Sequence, residues 1–157
     1  MQTPTKRTHS DPEVLRILAD LSRLADVRQF VRTGATARGA TPEAVADLVQ
    51  AVDESVTNVI VHGYGGSAGP IEVELSSSGS TVSAVVRDEA PPFDPTTVPV
   101  PDLARPPTRR RPGGMGVHLA RDLCDQYRYR RHSRGNELTL VRSLGARSKG
   151  EVDGHHD

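Results

Sequence analysis

Between residues 42 and 60, apolar side chains recur at Val45, Leu48, Val49, Val52, Val56, Val59 and Ile60. That i, i+3, i+4, i+7 spacing predicts a helix with one continuous buried stripe. Thr41 is placed to cap it, Pro42 suits its first turn, and the glycines beyond His62–Gly63 end it. An earlier helix follows Ser22 as N-cap, carries Leu24, Val27, Phe30 and Val31 on one face, and breaks at Gly34 and Gly39. Ahead of it, Val14–Ala19 reads as a first strand.

The period then changes to two. Ile71, Val73 and Leu75 alternate with Glu72 and Glu74, the mark of a half-buried strand. A turn over Ser76–Ser80 joins it to a second strand, Thr81–Arg87, in a hairpin. Eight of the twelve prolines then fall between Pro91 and Pro112, and four arginines lie within Arg105–Arg111. Such proline density forbids a helix or a central strand, so residues 89–112 read as a long lid-like loop. Val117, Leu119, Ala120, Leu123 and Cys124 mark a third helix, and Tyr127–His132 with Glu137–Arg142 close the chain as a hairpin around Ser133–Asn136. The order predicts an α/β sandwich: a mixed, mostly antiparallel sheet covered on one face by three helices. Residues 1–10 and 146–157 read as flexible ends of one domain spanning 11–145.

Composition narrows the function classes. Twenty basic residues balance twenty acidic ones and aromatics make up 3%, so no general attraction to nucleic acid and no base-stacking platform is expected. A lone cysteine, Cys124, excludes an internal disulfide and reads as a core thiol. With no signal peptide and no bilayer-length apolar run in view, a cytoplasmic protein is expected.

Glu54 and Asn58 are four residues apart on the long helix and share a face, which about 100° per residue places opposite the valine stripe; His62 continues it one turn later. A carboxylate and a carboxamide one turn apart suit Mg²⁺, which takes one or two oxygens from protein and the rest from phosphate and water. Glu54 can alternatively accept a proton from an attacking hydroxyl. Gly113–Gly114–Met115–Gly116 opens the third helix, where free backbone N–H groups attract phosphate; it is neither a P-loop nor a dinucleotide fingerprint. Asp88 ends the second hairpin strand, either as a turn former or as an acceptor for an exocyclic amine such as adenine's.

Together these segments resemble the bacterial anti-sigma factor serine kinases of the histidine kinase-like ATPase superfamily. Asp53–Tyr64 is similar to the family's asparagine-box helix, Arg87–Pro95 to its first glycine box, and Gly113–Val117 with the helix to Asp125 to its second. The likeness covers roughly residues 12–144, with the boxes in order. It implies a sandwich with a left-handed crossover that holds ATP and Mg²⁺ under a lid. It further implies that Asn58 ligates Mg²⁺, Glu54 is the general base, Asp88 reads adenine, and Thr139 supports Asp88. His62, Ala90, Phe93, Met115 and Val117 fall within or beside the boxes and would border the nucleotide, with Gly113, Gly114 and Gly116 on its phosphates. The implied partners are a sigma factor and an anti-sigma antagonist of the STAS type, whose serine is phosphorylated; a homodimer is compatible with it. A nucleotide-dependent binding module without turnover is the competing reading. Ala90 stands where the family's box has glycine, and no register assigns Arg109, Arg110 or Arg111 to a phosphate.

Overall fold

The computed structural model describes residues 12–97 and 114–145. Strand β1 (Glu13–Leu18) leads through a short turn into helices α1 (Leu24–Ala37) and α2 (Pro42–Asn58). Strands β2 (Pro70–Ser78) and β3 (Thr81–Asp88) follow, then helix α3 (Gly114–Leu123) and strands β4 (Gln126–His132) and β5 (Gly135–Ser143). The five strands form one sheet in the order β1-β2-β3-β5-β4, and every neighbouring pair is antiparallel. The expected hairpins are present: β2 meets β3 across Gly79–Ser80, and β4 meets β5 across Ser133–Arg134. The expected flexible ends, 1–10 and 146–157, and most of the proline-rich segment lie outside the described residues.

Alternation decides which face of the sheet is buried. Ile71, Val73 and Leu75 on β2, Val82, Ala84 and Val86 on β3, and Leu138 and Leu140 on β5 point inward and join one core with Leu48, Val52 and Val56 of α2. Cys124 is buried in it outside any disulfide, as expected of a core thiol. The outer face carries an ion-pair ladder in which Arg87 reaches Glu72, Glu74 and Glu137. These pairs are partly solvated, so each adds little, of the order of 0–1 kcal/mol.

Helix α2 forms as its pattern predicts. Thr41 Oγ1 accepts from Ala44 N at 3.2 Å, and Pro42 occupies the first turn. The first helix differs in two respects. Ser22 is not its cap; Asp20 Oδ1 accepts from Ser22 N at 2.9 Å, and Leu21–Arg23 winds as a tight turn before α1 starts. The carboxylate is the stronger acceptor and captures the first free N–H. Nor does Gly34 break the helix, which runs on to Ala37. A Cβ there would lie 2.2 Å from Leu75 Cδ2, so this glycine lets α1 approach β2 closely, while Gly39, at φ 90°, makes the turn.

The largest fully buried side chain is charged. Arg142 on β5 points inward with no exposure; its Nε and Nη2 both donate to Asp47 Oδ2 on α2 at 3.2 Å. Its Nη1 donates to Ser143 O and Oγ, both at 2.8 Å, and to Gly145 O at 3.1 Å. Removing the carboxylate strands a buried cation. Asp47→Ala is expected to lower the unfolding free energy by about 3 kcal/mol in urea titration, and Asp47→Asn, which keeps an acceptor, by less. Equal stability of Asp47→Ala and wild type would show that Arg142 is satisfied without α2.

Candidate functional site

One cavity gathers six of the residues that the sequence singles out: Glu54, Asn58, Asp88, Ala90, Phe93 and Val117. It is lined by Glu54, Ser55, Asn58 and Val59 of α2, by Gly63, by Asp88 and the segment Ala90, Pro91, Phe93 and Pro95, by Val117 of α3, and by β4 and β5 through Tyr127, Tyr129, Asn136 and Leu138. Glu54 and Asn58 are partly buried there, and the stripe residue Val59 stands in the same wall. They therefore flank the apolar stripe of α2 instead of opposing it. Helix α3 packs on α2 beside the sheet, which widens the buried arc beyond what a two-layer helix would show.

Past Asn58 the helix loosens into a wide turn, Val59–Gly63, closed by Tyr64 N donating to Val59 O at 2.8 Å. A turn with i→i+5 bonds advances less than 100° per residue, so the phase of the helix slips. His62, which ideal spacing would keep beside Asn58, is exposed and outside the cavity lining. Gly63 takes a place in the wall instead.

The second glycine box meets α2 directly. A Cβ on Gly116 would lie 2.5 Å from Glu54 Oε2, so the absence of a side chain at 116 is what lets the carboxylate come against the opening of α3. Gly114 and Met115 form the first turn of that helix, and Val117 is buried at the cavity wall. Gly113 lies outside the described residues, as do Arg109, Arg110 and Arg111.

Asp88 ends β3 with its side chain buried at 7% exposure. Its Oδ1 accepts from Asn136 Nδ2 and from Ala90 N, both at 2.9 Å. Both bonds land on Oδ1, which leaves Oδ2 able to accept a further hydrogen bond. Asn136 does more than orient this carboxylate. Its Nδ2 also donates to Ala90 O at 3.3 Å and Pro91 O at 3.1 Å, while its Oδ1 accepts from Phe93 N at 2.9 Å and from the Tyr129 hydroxyl at 2.5 Å. One amide thus clips the whole first glycine box onto β5. Phe93 itself is half-exposed at the cavity rim.

Thr139, expected to support Asp88, pairs with Val85 on the outward parity of β5 and lies outside the cavity lining. Asn136, directly across from Asp88 in the ladder, holds that place. The signal was available: counting back by twos from Leu140 and Leu138 puts Asn136, and not Thr139, inward.

Two further contacts brace the cavity. The Tyr64 hydroxyl accepts from Glu89 N and donates to Pro70 O, both at 2.7 Å, tying the wide turn to the glycine box and β2. Arg121 of α3 donates to Pro95 O at 3.2 Å and Thr96 O at 3.0 Å, and its guanidinium stands 5.8 Å from the Tyr127 ring centroid. Burial holds the Tyr127 phenol protonated well above its ordinary range, with Arg121 acting in the opposite sense.

Burial also raises the Asp88 pKa above the ordinary carboxylate value, opposed by the hydrogen bonds from Asn136 and from the Ala90 backbone. The folded chain therefore binds this proton more tightly than the unfolded one. The associated stability is complete below the ordinary carboxylate pKa and is lost as pH rises through the elevated folded value. At neutral pH the buried carboxylate is a net cost. Asp88→Asn is expected to raise the neutral-pH unfolding free energy of the ligand-free protein and to reduce its fall between mildly acidic and neutral pH. A lower neutral-pH stability for the variant would refute this.

Known proteins place this arrangement. The family described as histidine kinase-like ATPase domain matches residues 17–142. The chain is 32% identical over 95 residues to the serine/threonine-protein kinase BtrW of Bordetella bronchiseptica, covering 60% of this chain and 67% of that protein. It is 31% identical over 117 residues to the anti-sigma F factor of Thermoanaerobacter sp., covering 72% of this chain and 80% of that one. Among solved structures, the RsbU and RsbW domains of Rv1364c from Mycobacterium tuberculosis superpose with a TM-score of 0.62 at 25% identity over 85% of this chain. The match spans 32% of that longer protein. The three boxes, the antiparallel sandwich and these relatives agree: the chain belongs to the histidine kinase-like ATPases, in the anti-sigma factor kinase family.

Proposed function

We propose that this protein sequesters a sigma factor, binds Mg-ATP in the cavity between α2, α3 and the sheet, and transfers the γ-phosphoryl group to a serine of an anti-sigma antagonist, which releases that antagonist. The observation that carries the reading is the approach of Glu54 to side-chain-free Gly116, with Asp88 in the same cavity. It sets a carboxylate beside a helix N-terminus suited to phosphate and provides a separate acceptor suited to an amine. The serine/threonine kinase and anti-sigma factor names of the relatives point the same way.

The donor set fits the ligand. Asn58 would offer its carbonyl oxygen to Mg²⁺, and among the described residues no group of three or more His, Cys, Asp and Glu gathers to compete for a cation. When bound, the ion would neutralise charge on the phosphates. Asp88 would accept from the exocyclic amine of adenine, and the amides opening α3 would meet the phosphate oxygens. Glu54 would take the proton of the serine hydroxyl as its oxygen forms the bond to phosphorus and the bond to the ADP oxygen breaks. Positioning and charge stabilisation supply most of the rate in such transfers.

Glu54→Ala is expected to slow phosphorylation of the cognate antagonist by about 10²-fold or more while ATP still binds. Transfer at the wild-type rate would remove Glu54 from the proton-accepting role. ATP left intact with every antagonist, alongside measurable affinity, would favour a nucleotide-dependent binding module. In equilibrium titration Asn58→Ala is expected to lose the Mg²⁺-dependent part of ATP affinity; unchanged Mg²⁺ dependence would count against the site.

A further inference from the structure

Asp88 alone leaves one discrimination open. A carboxylate selects a purine with a 6-amino group over one with a 6-oxo group, because it can accept but not donate. It is indifferent to the 2-position, since 2,6-diaminopurine satisfies it as well as adenine does. What separates those two bases is the space at the 2-position and the cost of burying its amino group without a partner.

The segment that follows Asp88 has a fixed shape. Ala90 is 3% exposed and lines the cavity. Its N–H donates to Asp88 Oδ1 at 2.9 Å and its carbonyl accepts from Asn136 at 3.3 Å, so its backbone is held on both sides. Gly63 faces it across the wall. A Cβ on Gly63 would lie 3.1 Å from the Ala90 methyl, against about 3.5–4.0 Å for carbons in good contact. Neither wall is free to retreat. The wide turn carrying Gly63 is closed by Tyr64 N on Val59 O at 2.8 Å, and the Tyr64 hydroxyl takes Glu89 N at 2.7 Å, one residue before Ala90. The gap between residues 63 and 90 therefore holds one methyl group, and this chain places it on residue 90.

We infer that the Ala90 methyl, seated against Gly63, is a specificity determinant: it closes the base pocket beside Asp88 to purines that carry a 2-substituent. The inference rests on the nucleotide reading of the cavity. A 2-amino group adds one heavy atom about the size of a methyl, and the pinned wall cannot yield to it. Ala90→Gly opens that space. Gly63→Ala overfills the gap, and the exchange Gly63→Ala with Ala90→Gly returns the count to one methyl on the opposite wall.

The test is equilibrium titration of the full chain with Mg²⁺ and either ATP or 2-aminoadenosine triphosphate, together with thermal unfolding of the ligand-free variants. Wild type is expected to prefer ATP by about 10-fold or more, the discrimination that one extra group in a fitted pocket gives. In Ala90→Gly that ratio is expected to fall toward one. Gly63→Ala is expected to melt below wild type, and the double exchange to recover most of the loss. No ATP binding by wild type would overturn the nucleotide reading and this inference with it. ATP binding with the same ratio in wild type and Ala90→Gly would overturn the methyl wall alone. A Gly63→Ala protein as stable as wild type would overturn the one-methyl gap.

Discussion

Helix α2 must satisfy two surfaces at once, and the rest of the molecule is arranged around that demand. Its stripe from Val45 to Ile60 is buried except for the partly buried Val59, with Leu48, Val52 and Val56 fully so, and its flank packs against α3. Full burial of such side chains stabilises by roughly 1.5–3 kcal/mol each, so the rotation of the helix about its axis is fixed by the core. Glu54 and Asn58 inherit that rotation. They are held at the edge of the buried arc, where a carboxylate can be partly desolvated and still meet a ligand.

The sheet supplies the second half of the site through register. Pairing β3 with β5 brings Asp88 across from Asn136, although 48 positions separate them in the chain. That one contact orients the carboxylate, anchors the carbonyls of Ala90 and Pro91, and fixes Phe93 at the rim. Burying Asp88 costs stability at neutral pH, a cost of the kind that functional sites carry because the same burial would strengthen a hydrogen bond to a ligand.

Most of the fold was legible because its determinants are local: the 3.6 period of α2, the alternation of β2, the Thr41–Pro42 start. The order of the three boxes was legible for the same reason, and it identified the family. What was lost depends on contacts between distant segments or on geometry without a sequence signature. His62 left the cavity because the turn after Asn58 widens, and nothing in Val59–Gly63 announces an i→i+5 turn. Gly34 looked like a breaker because Leu75, whose side chain needs the space, is far along the chain. Asn136 reads in the sequence as part of a turn, and Thr139, which the family resemblance implies, lies on the outward parity of β5.

The two inward polar residues of β5 also bear on how the chain reaches this structure. Asn136 near one end answers Asp88, and Arg142 near the other answers Asp47. A slip of one residue in either direction would turn the strand over, removing Leu138 and Leu140 from the core and presenting Glu137 or Gly135 to Asp88. The first replacement sets two carboxylates against each other, and the second removes the amide altogether. The arginine, at the same time, would lose its acid. The register of strand β5 is thus specified at both ends, and at one end the residues that specify it also line the cavity.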